Sequence, residues 1–456
     1  MSETAEPDVV TPQEAEAAIA SYKAGGLVAV LQSTGARAIF ILINALTGIL
    51  TARVLHPGGR GELAAIAVWP NFLPNLMTLG LPSALIYRLR EGLAARTDLI
   101  RASLYLTLML GLISTIFGVV CMPFWLTQYS PHIVHLAQLF MINGTVVLLI
   151  AMLRGLCESN GDFFASSVSF ALTPLVSVFV LAAFYAAHSL TPATAALAYV
   201  AGGIPTVIFL FRRVWVDLGG PAKDFLHSSR LLLSFGIRSY GVDLCGTLSL
   251  YADQALVVRM LNPSAMGIYV VALSLSRTLN VMQASVASIL FPRAVNLELT
   301  EMLALVGKAV RLSTAVSIVA GIFVAILGPI FLPLLYGKDY GYATVILDIL
   351  IVEAILSGAT LVLTQAYMAL GKPGLVTILQ TSGLLISIPL LMVLIPPFGI
   401  IGASCALLIA ALIRITLTLL SFRFYMHLPT PSLIPKMDEF RNLFVSVRNK
   451  IRPATV

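Results

Sequence analysis

Between Leu231 and Pro263 the chain has an apolar stretch long enough to cross a bilayer, yet it carries Arg238, Asp243, Asp253 and Arg259. A charged side chain at the centre of a membrane helix costs at least ~2.5–3.5 kcal/mol. Four of them call for ionic partners, a water-filled cavity or a substrate. Arg37 poses the same problem about ten residues, ~15 Å, into an earlier apolar run. Asn44, Gly48 and Thr51 follow it at spacings that keep all four on one narrow face, as suits a cavity wall. Arg277 lies at similar depth in a third run, with Asn280 one turn on, and a fourth holds Asp348 and the deeper Glu353. Arginine suits phosphate because its planar fork donates two parallel hydrogen bonds and stays charged when dehydrated. Arg37, Arg238 and Arg277 are therefore expected to line an electropositive chamber for an anionic group such as phosphate or pyrophosphate. A cavity for organic cations would be dominated by carboxylates instead.

These residues need a membrane scaffold. The 456 residues are 58% hydrophobic and 11% charged, against roughly 25% charged in soluble domains. Apolar runs predict an all-α polytopic protein with twelve transmembrane helices, at 27–52, 63–87, 102–126, 133–153, 164–187, 193–211, 231–258, 266–291, 308–335, 343–367, 374–395 and 399–422. With both termini cytoplasmic, the cytoplasmic segments hold 20 of the 28 basic residues and the outer loops only Arg53, Arg60, Arg259 and Lys338. The net charge of +7 is thus expected to face anionic lipid, not nucleic acid. The four cysteines lie in or beside apolar spans without a CxxC pair, as small buried hydrophobes do, and no metal or cofactor is expected.

Two internal echoes indicate a duplication. Arg53, Leu55, Pro57 and Gly61 reappear as Arg259, Leu261, Pro263 and Gly267, while Arg101, Ser103, Gly111, Gly118 and Pro123 reappear 210 residues on as Arg311, Ser313, Gly321, Gly328 and Pro333. Two six-helix lobes inserted in the same orientation imply a pseudo-two-fold axis along the membrane normal and a cavity where the lobes meet. The expected units are a cytoplasmic segment with a short surface helix (1–26), an N-lobe (27–211), a cytoplasmic linker (212–230), a C-lobe (231–422) and a basic amphipathic tail (423–456). In this register Arg238 is expected to answer Arg37, and Asn71, between Pro70 and Pro74, matches Arg277. Those two prolines remove backbone donors and should bend the second span.

The run Leu55-His56-Pro57-Gly58-Gly59-Arg60-Gly61-Glu62-Leu63 resembles the loop after the first span in oligosaccharide flippases, the Wzx-like branch of the multidrug/oligosaccharidyl-lipid/polysaccharide superfamily. His56 stands where a glycine is commoner. The resemblance implies two rocking lobes in a bacterial inner membrane, moving a polyprenyl-pyrophosphate-linked glycan between leaflets, with membrane lipid and polysaccharide polymerase or export machinery as partners. On that basis Arg37, Arg238 and Arg277 would hold pyrophosphate, and Asn44, Asn71 and Asn280 would contact sugar or phosphate. Asp243, Asp253 and Glu353 would bind a coupling ion, H+ or Na+. Lipid II flippases of the same superfamily share these features. A cation-coupled exporter of drugs would need a carboxylate-lined cavity. A membrane glycosyltransferase would need a catalytic acid or base outside the membrane, where His56, Glu62, His132, His135, His188 and Asp339 sit in loops too short for an acceptor domain. The chain is therefore expected to be a transporter and not an enzyme.

Overall fold

The computed structural model describes residues 12–92, 95–219, 224–295 and 297–430, with side chains described from residue 40 onward except at 41, 242 and 243. The helices are α1 (Pro12–Leu76), α2 (Leu81–Glu91), α3 (Arg96–Trp125), α4 (Pro131–Phe140), α5 (Ile142–Ser159), α6 (Phe163–Ala186), α7 (Pro192–Val214), α8 (Phe225–Met260), α9 (Pro263–Ala294), α10 (Leu299–Tyr336), α11 (Ala343–Ala369) and α12 (Pro373–Phe424). No strand occurs among the described residues. Nine stretches among them are long and apolar enough to cross a membrane. Two of these nine each contain two spans, and α8 adds another, which makes twelve in two lobes of six. Residues 1–11 and most of the expected basic tail, from 431 on, lie outside the described residues.

The two long helices double back. In α1 the reversal is at His56, whose φ of 56° and ψ of 175° interrupt the helix. Asn44 and Asn71, on opposite sides of that break, line one cavity, so residues 12–55 (α1a) and 57–76 (α1b) run antiparallel. Pro57 opens α1b at the first helical position, where the missing N–H costs nothing. Gly399 (φ 57°, ψ −134°) does the same in α12 after Pro396 and Pro397. A Cβ on Gly383, before that break, would stand 3.0 Å from the side chain of Arg414 beyond it. The second span, α1b with α2, is broken below Pro70 and Pro74, at Leu79 (φ 48°) and Gly80 (φ 68°). The break docks on α8, where a Cβ on Gly236 would meet the Leu79 carbonyl at 2.4 Å.

The two lobes meet about a pseudo-two-fold axis at the His56 end of the bundle. A Cβ on Gly61 would lie 1.7 Å from the carbonyl oxygen of Pro263, and one on Gly267 would lie 2.0 Å from that of Pro57. The backbones of α1b and α9 therefore cross where only glycine fits. Around this crossing Arg53 donates to the Leu334 carbonyl (3.4 Å) and Arg259 to the Phe124 carbonyl (3.1 Å). Each guanidinium caps the last turn of a helix in the opposite lobe, where the helix dipole favours a cation. Arg53 and Arg259 differ by 206 positions, and Phe124 and Leu334 by 210, so the duplicated residues make reciprocal contacts. The seams within each lobe repeat too, with Gly111 against Thr145 and Gly321 against Ile351 and Ile355.

Core packing divides the same way. At the His56 end one cluster joins both lobes, with Ala52, Leu63 and Trp69 beside Val257, Tyr269 and Tyr340. Toward the other end the core divides in two, one part around Leu85, Ile100 and Leu210 that also takes in Leu232 of α8, the other around Val306, Tyr367 and Phe422. There α2 and α8 provide a contact along one edge, including the stacked rings of Tyr87 and Phe235, 4.2 Å apart. The seam is closed at the His56 end.

Two outcomes are expected. Gly61→Ala or Gly267→Ala must separate α1b from α9, so a cysteine at Ala52, fully buried in the parent, becomes reactive toward a membrane-impermeant maleimide. Gly246→Ala, where an added Cβ meets nothing, leaves it protected. His56 occupies backbone space that only glycine enters without strain, a cost of about 1–3 kcal/mol. Its pair with Asp339 (2.9 Å) is exposed and such pairs contribute about 0.2–1 kcal/mol. His56→Gly should match or exceed the parent in detergent thermal melts, whereas His56→Ala, keeping the strain and losing the pair, should fall below it.

Candidate functional site

Helices α8 and α9 run antiparallel and put Asp253 beside Arg277. Asp253 Oδ2 accepts from the Tyr269 hydroxyl (2.8 Å) and from Arg277 Nη2 (3.2 Å), and Arg277 Nη1 donates to the Leu250 carbonyl (3.1 Å). The Asp253 side chain is 3% exposed and that of Arg277 31%. Asp253 Oδ1 has no hydrogen-bond partner among the described residues. Asp253 lines a cavity of about 70 Å³ with Glu353 of α11 and Arg414 of α12. There Arg414 Nη2 donates to Ser357 Oγ (2.7 Å), and Ser357 Oγ donates to Glu353 in turn. Two carboxylates and two guanidiniums thus form a charge-balanced group inside the C-lobe.

A larger cavity, about 450 Å³, opens where the lobes meet. Its polar lining is Asn44, Arg60 and Asn71 of α1, Asn143 of α5, Thr173 of α6, Tyr199 of α7, and Tyr251 and Gln254 of α8. No carboxylate among the described side chains contributes to it. Asn44 and Asn71 each tie one amide N–H to the carbonyl a turn back, at 2.7 Å. The amide oxygen and a second N–H remain to meet a ligand. Below, in the C-lobe, Asn280 lines a cavity of about 240 Å³ with Gln380, Ser357 and Arg414. Its buried amide oxygen has no partner among the described residues.

The residues singled out from the sequence thus fall in separate places. Asn44 and Asn71 share the inter-lobe cavity, Asp253 and Glu353 share the small ionic one, and Asn280 sits in a third. Arg277 is neutralised by Asp253 and not free. Arg238 is exposed on α8 and makes no hydrogen bond to any described residue. The side chains of Arg37 and Asp243 lie outside the described residues. The offset of 206 set by Gly61 and Gly267 pairs Arg37 with Asp243, which corrects the expectation that Arg238 answers Arg37: equivalent positions carry opposite charges.

Sequence reasoning did not assign Arg60, Arg414, Asn143 or Tyr269 to a site. By sequence Arg60 falls in an outer loop, ahead of a second span expected at 63–87. The helix resumes at Pro57, less than one turn before Arg60, so its side chain belongs to the cavity wall. The signal was there, since proline at a first helical position marks a helix start.

Residues 30–298 match the polysaccharide biosynthesis protein family. No curated protein matches the chain in sequence. Among solved structures, lipid II flippase MurJ in an inward closed conformation is similar at 15% identity and TM-score 0.72, covering 94% of each chain. A multidrug resistance MATE family transporter of the MOP superfamily, inward-facing, is similar at 16% identity and TM-score 0.67, covering 85% of this chain and 94% of the other. An outward-facing one gives 15% identity and TM-score 0.60, covering 88% and 95%. With the match spanning more than half of its residues, the chain belongs to the polysaccharide biosynthesis protein family and is a multi-pass membrane protein with the two-lobed fold of the MOP superfamily.

Proposed function

We propose that the chain is a flippase that carries a polyprenyl-pyrophosphate-linked oligosaccharide across the bacterial inner membrane by alternating access. One observation carries this. Among the described side chains, the polar lining of the cavity between the lobes consists of amides, phenols, a hydroxyl and one arginine, with no carboxylate. Such a lining suits hydroxyl-rich or anionic cargo and repels organic cations. The carboxylates that an exporter of cationic drugs would need surround a space of about 70 Å³, well below the roughly 300–1,000 Å³ of sites for drug-sized ligands.

In this reading the His56 end faces outward and both termini are cytoplasmic. The glycolipid enters between the lobes from the inner leaflet, with its tail left in the bilayer. Its pyrophosphate meets Arg37 and Arg238, and Asn44, Asn71 and Asn280 contact sugar or phosphate. Outward release requires α1b and α9 to part at Gly61 and Gly267. Asp253, Glu353 and Asp243 couple transport to an ion. A proton or Na+ on Asp253 would release Arg277 toward the phosphate, so ion and substrate favour the same state. Each shifts the equilibrium only by its differential affinity for the two states.

The test is flipping in proteoliposomes, comparing a lipid-linked oligosaccharide, lipid II and a cationic dye. The oligosaccharide should flip and the dye should not; efflux of the dye alone would overturn the reading, and a preference for lipid II would redefine the glycan. A hydrogen bond to a charged group contributes about 1.5–3 kcal/mol, so Arg37→Ala or Arg238→Ala should slow flipping at least tenfold at unchanged expression. Breaking a buried ion pair costs about 3–5 kcal/mol, and the lower end applies to Arg277 because its side chain is partly exposed. Arg277→Gln should therefore be markedly destabilised in thermal melts. Adding Asp253→Asn should recover most of the loss, as a double-mutant cycle would show.

A further inference from the structure

We propose that the glycan carries an anionic substituent, a carboxylate or phosphate on one of its sugars, which Arg60 holds at the closed end of the inter-lobe cavity. The inference rests on the flippase reading and concerns its substrate class.

Position separates this group from the pyrophosphate. Arg60 is four residues past the His56 turn, and Asn71 lies a further ~16 Å along the same helix at 1.5 Å per residue. Both line the cavity. A glycolipid entering from the opposite end keeps its pyrophosphate beside the lipid, so the part that reaches Arg60 is sugar.

Arg60 also lacks what the arginines with described partners have, and unlike Arg238 it is not exposed. Arg277 has Asp253, Arg414 has Ser357 and through it Glu353, Arg154 has Ser169 at 3.0 Å with the Phe170 ring 3.6 Å away, and Arg53 and Arg259 have backbone carbonyls. Arg60 makes no hydrogen bond or ion pair with any described residue, and its Nε is buried without a partner. The phenols of Tyr336 and Tyr340 lie near it, but the Tyr340 hydroxyl donates to the Ala52 carbonyl. Glu62, two residues on, is not part of the cavity lining. A guanidinium held beside apolar walls without a counter-ion is costly, and an anion on the cargo offsets that cost. Neutral sugars would be served by the amides alone.

The duplication argues against a purely structural role. The position equivalent to Arg60 in the second half is Met266, which is fully buried. The crossing of α1b and α9 therefore does not require an arginine there, and the cation is a feature of the cavity side.

The experiment uses the full chain in proteoliposomes with three polyprenyl-pyrophosphate-linked oligosaccharides of equal length. One is neutral, one bears a hexuronic acid and one bears a sugar phosphate. The rate at which each becomes accessible to an impermeant oxidant is measured for the parent, Arg60→Lys, Arg60→Gln and Arg60→Met, the last being the residue the other half uses. The parent should flip at least one acidic glycan about tenfold faster than the neutral one. Arg60→Lys should keep part of that ratio, and Arg60→Gln and Arg60→Met should bring it to one. Which acidic arm responds identifies carboxylate or phosphate. Equal rates for all three in the parent, or an unchanged ratio in both Arg60→Gln and Arg60→Met, would overturn the inference and leave the flippase reading intact. No flipping of any of the three by the parent would overturn both.

Discussion

The backbone crossing of Gly61 with Gly267 is the constraint from which the rest follows. Two helices in lipid gain nothing from hiding apolar surface from each other, so their contact depends on close packing and small residues. Here the approach is close enough to place the Pro57 and Pro263 carbonyls in the space of a methyl group. That contact brings Arg53 and Arg259 within reach of helix ends in the opposite lobe. It also sets one continuous core at the His56 end. Because one core joins the lobes there and the core divides in two at the other end, space for a ligand opens between them below the crossing.

Within that frame the two halves treat polarity differently. The N-lobe side of the cavity is polar but mostly uncharged, with Asn44, Asn71, Asn143 and Tyr199. The C-lobe encloses charge that it balances internally, Asp253 with Arg277 and Glu353 with Arg414 through Ser357. Balanced buried charge contributes little net stability, because desolvation offsets most of the attraction. It does create two states for each arginine, paired or released, and neutralising a carboxylate selects between them. Amides cannot do that. A division into a recognising half and a coupling half follows from these side-chain types.

Much of this was legible in the sequence. The spans and the duplication follow from apolar run length and from glycine and proline at fixed offsets, which are local properties, although the counterpart of Arg37 in that register is Asp243 and not the expected Arg238. His56 at a position that favours glycine was legible as well, and its φ of 56° supplies the reason. That Asp253 needs an ionic partner, in Arg259 or in the neighbouring span, was legible too; that the partner is Arg277 was not. Measured from the turn at Asn262, Asp253 lies ~13 Å deep and Arg277 ~22 Å at 1.5 Å per residue, a mismatch that argues against contact. Helical side chains lean toward the helix N-terminus, however, and α9 begins at that turn. The long arginine therefore reaches back to the depth of Asp253, where Tyr269 already sits. Arg414 is legible as a basic residue within a span, but its partner Ser357 depends on how α12 doubles back at Gly399, which spacing alone does not set.

The duplication also explains which residues stayed alike. A residue on the pseudo-two-fold axis meets its own counterpart, so a change in one copy is felt at once by the other. Gly61 and Gly267, Pro57 and Pro263, and Arg53 and Arg259 are the same in both halves, and all contact the opposite lobe. Positions facing the cavity carry no such mutual restraint. There Asn71 and Arg60 line the cavity in the first half, and the second half carries Arg277 and Met266 at the equivalent positions. Identity between halves thus marks the contact that must close, and difference marks the surface that must discriminate. By that criterion Arg60 belongs with the discriminating residues, although it is the immediate neighbour of Gly61.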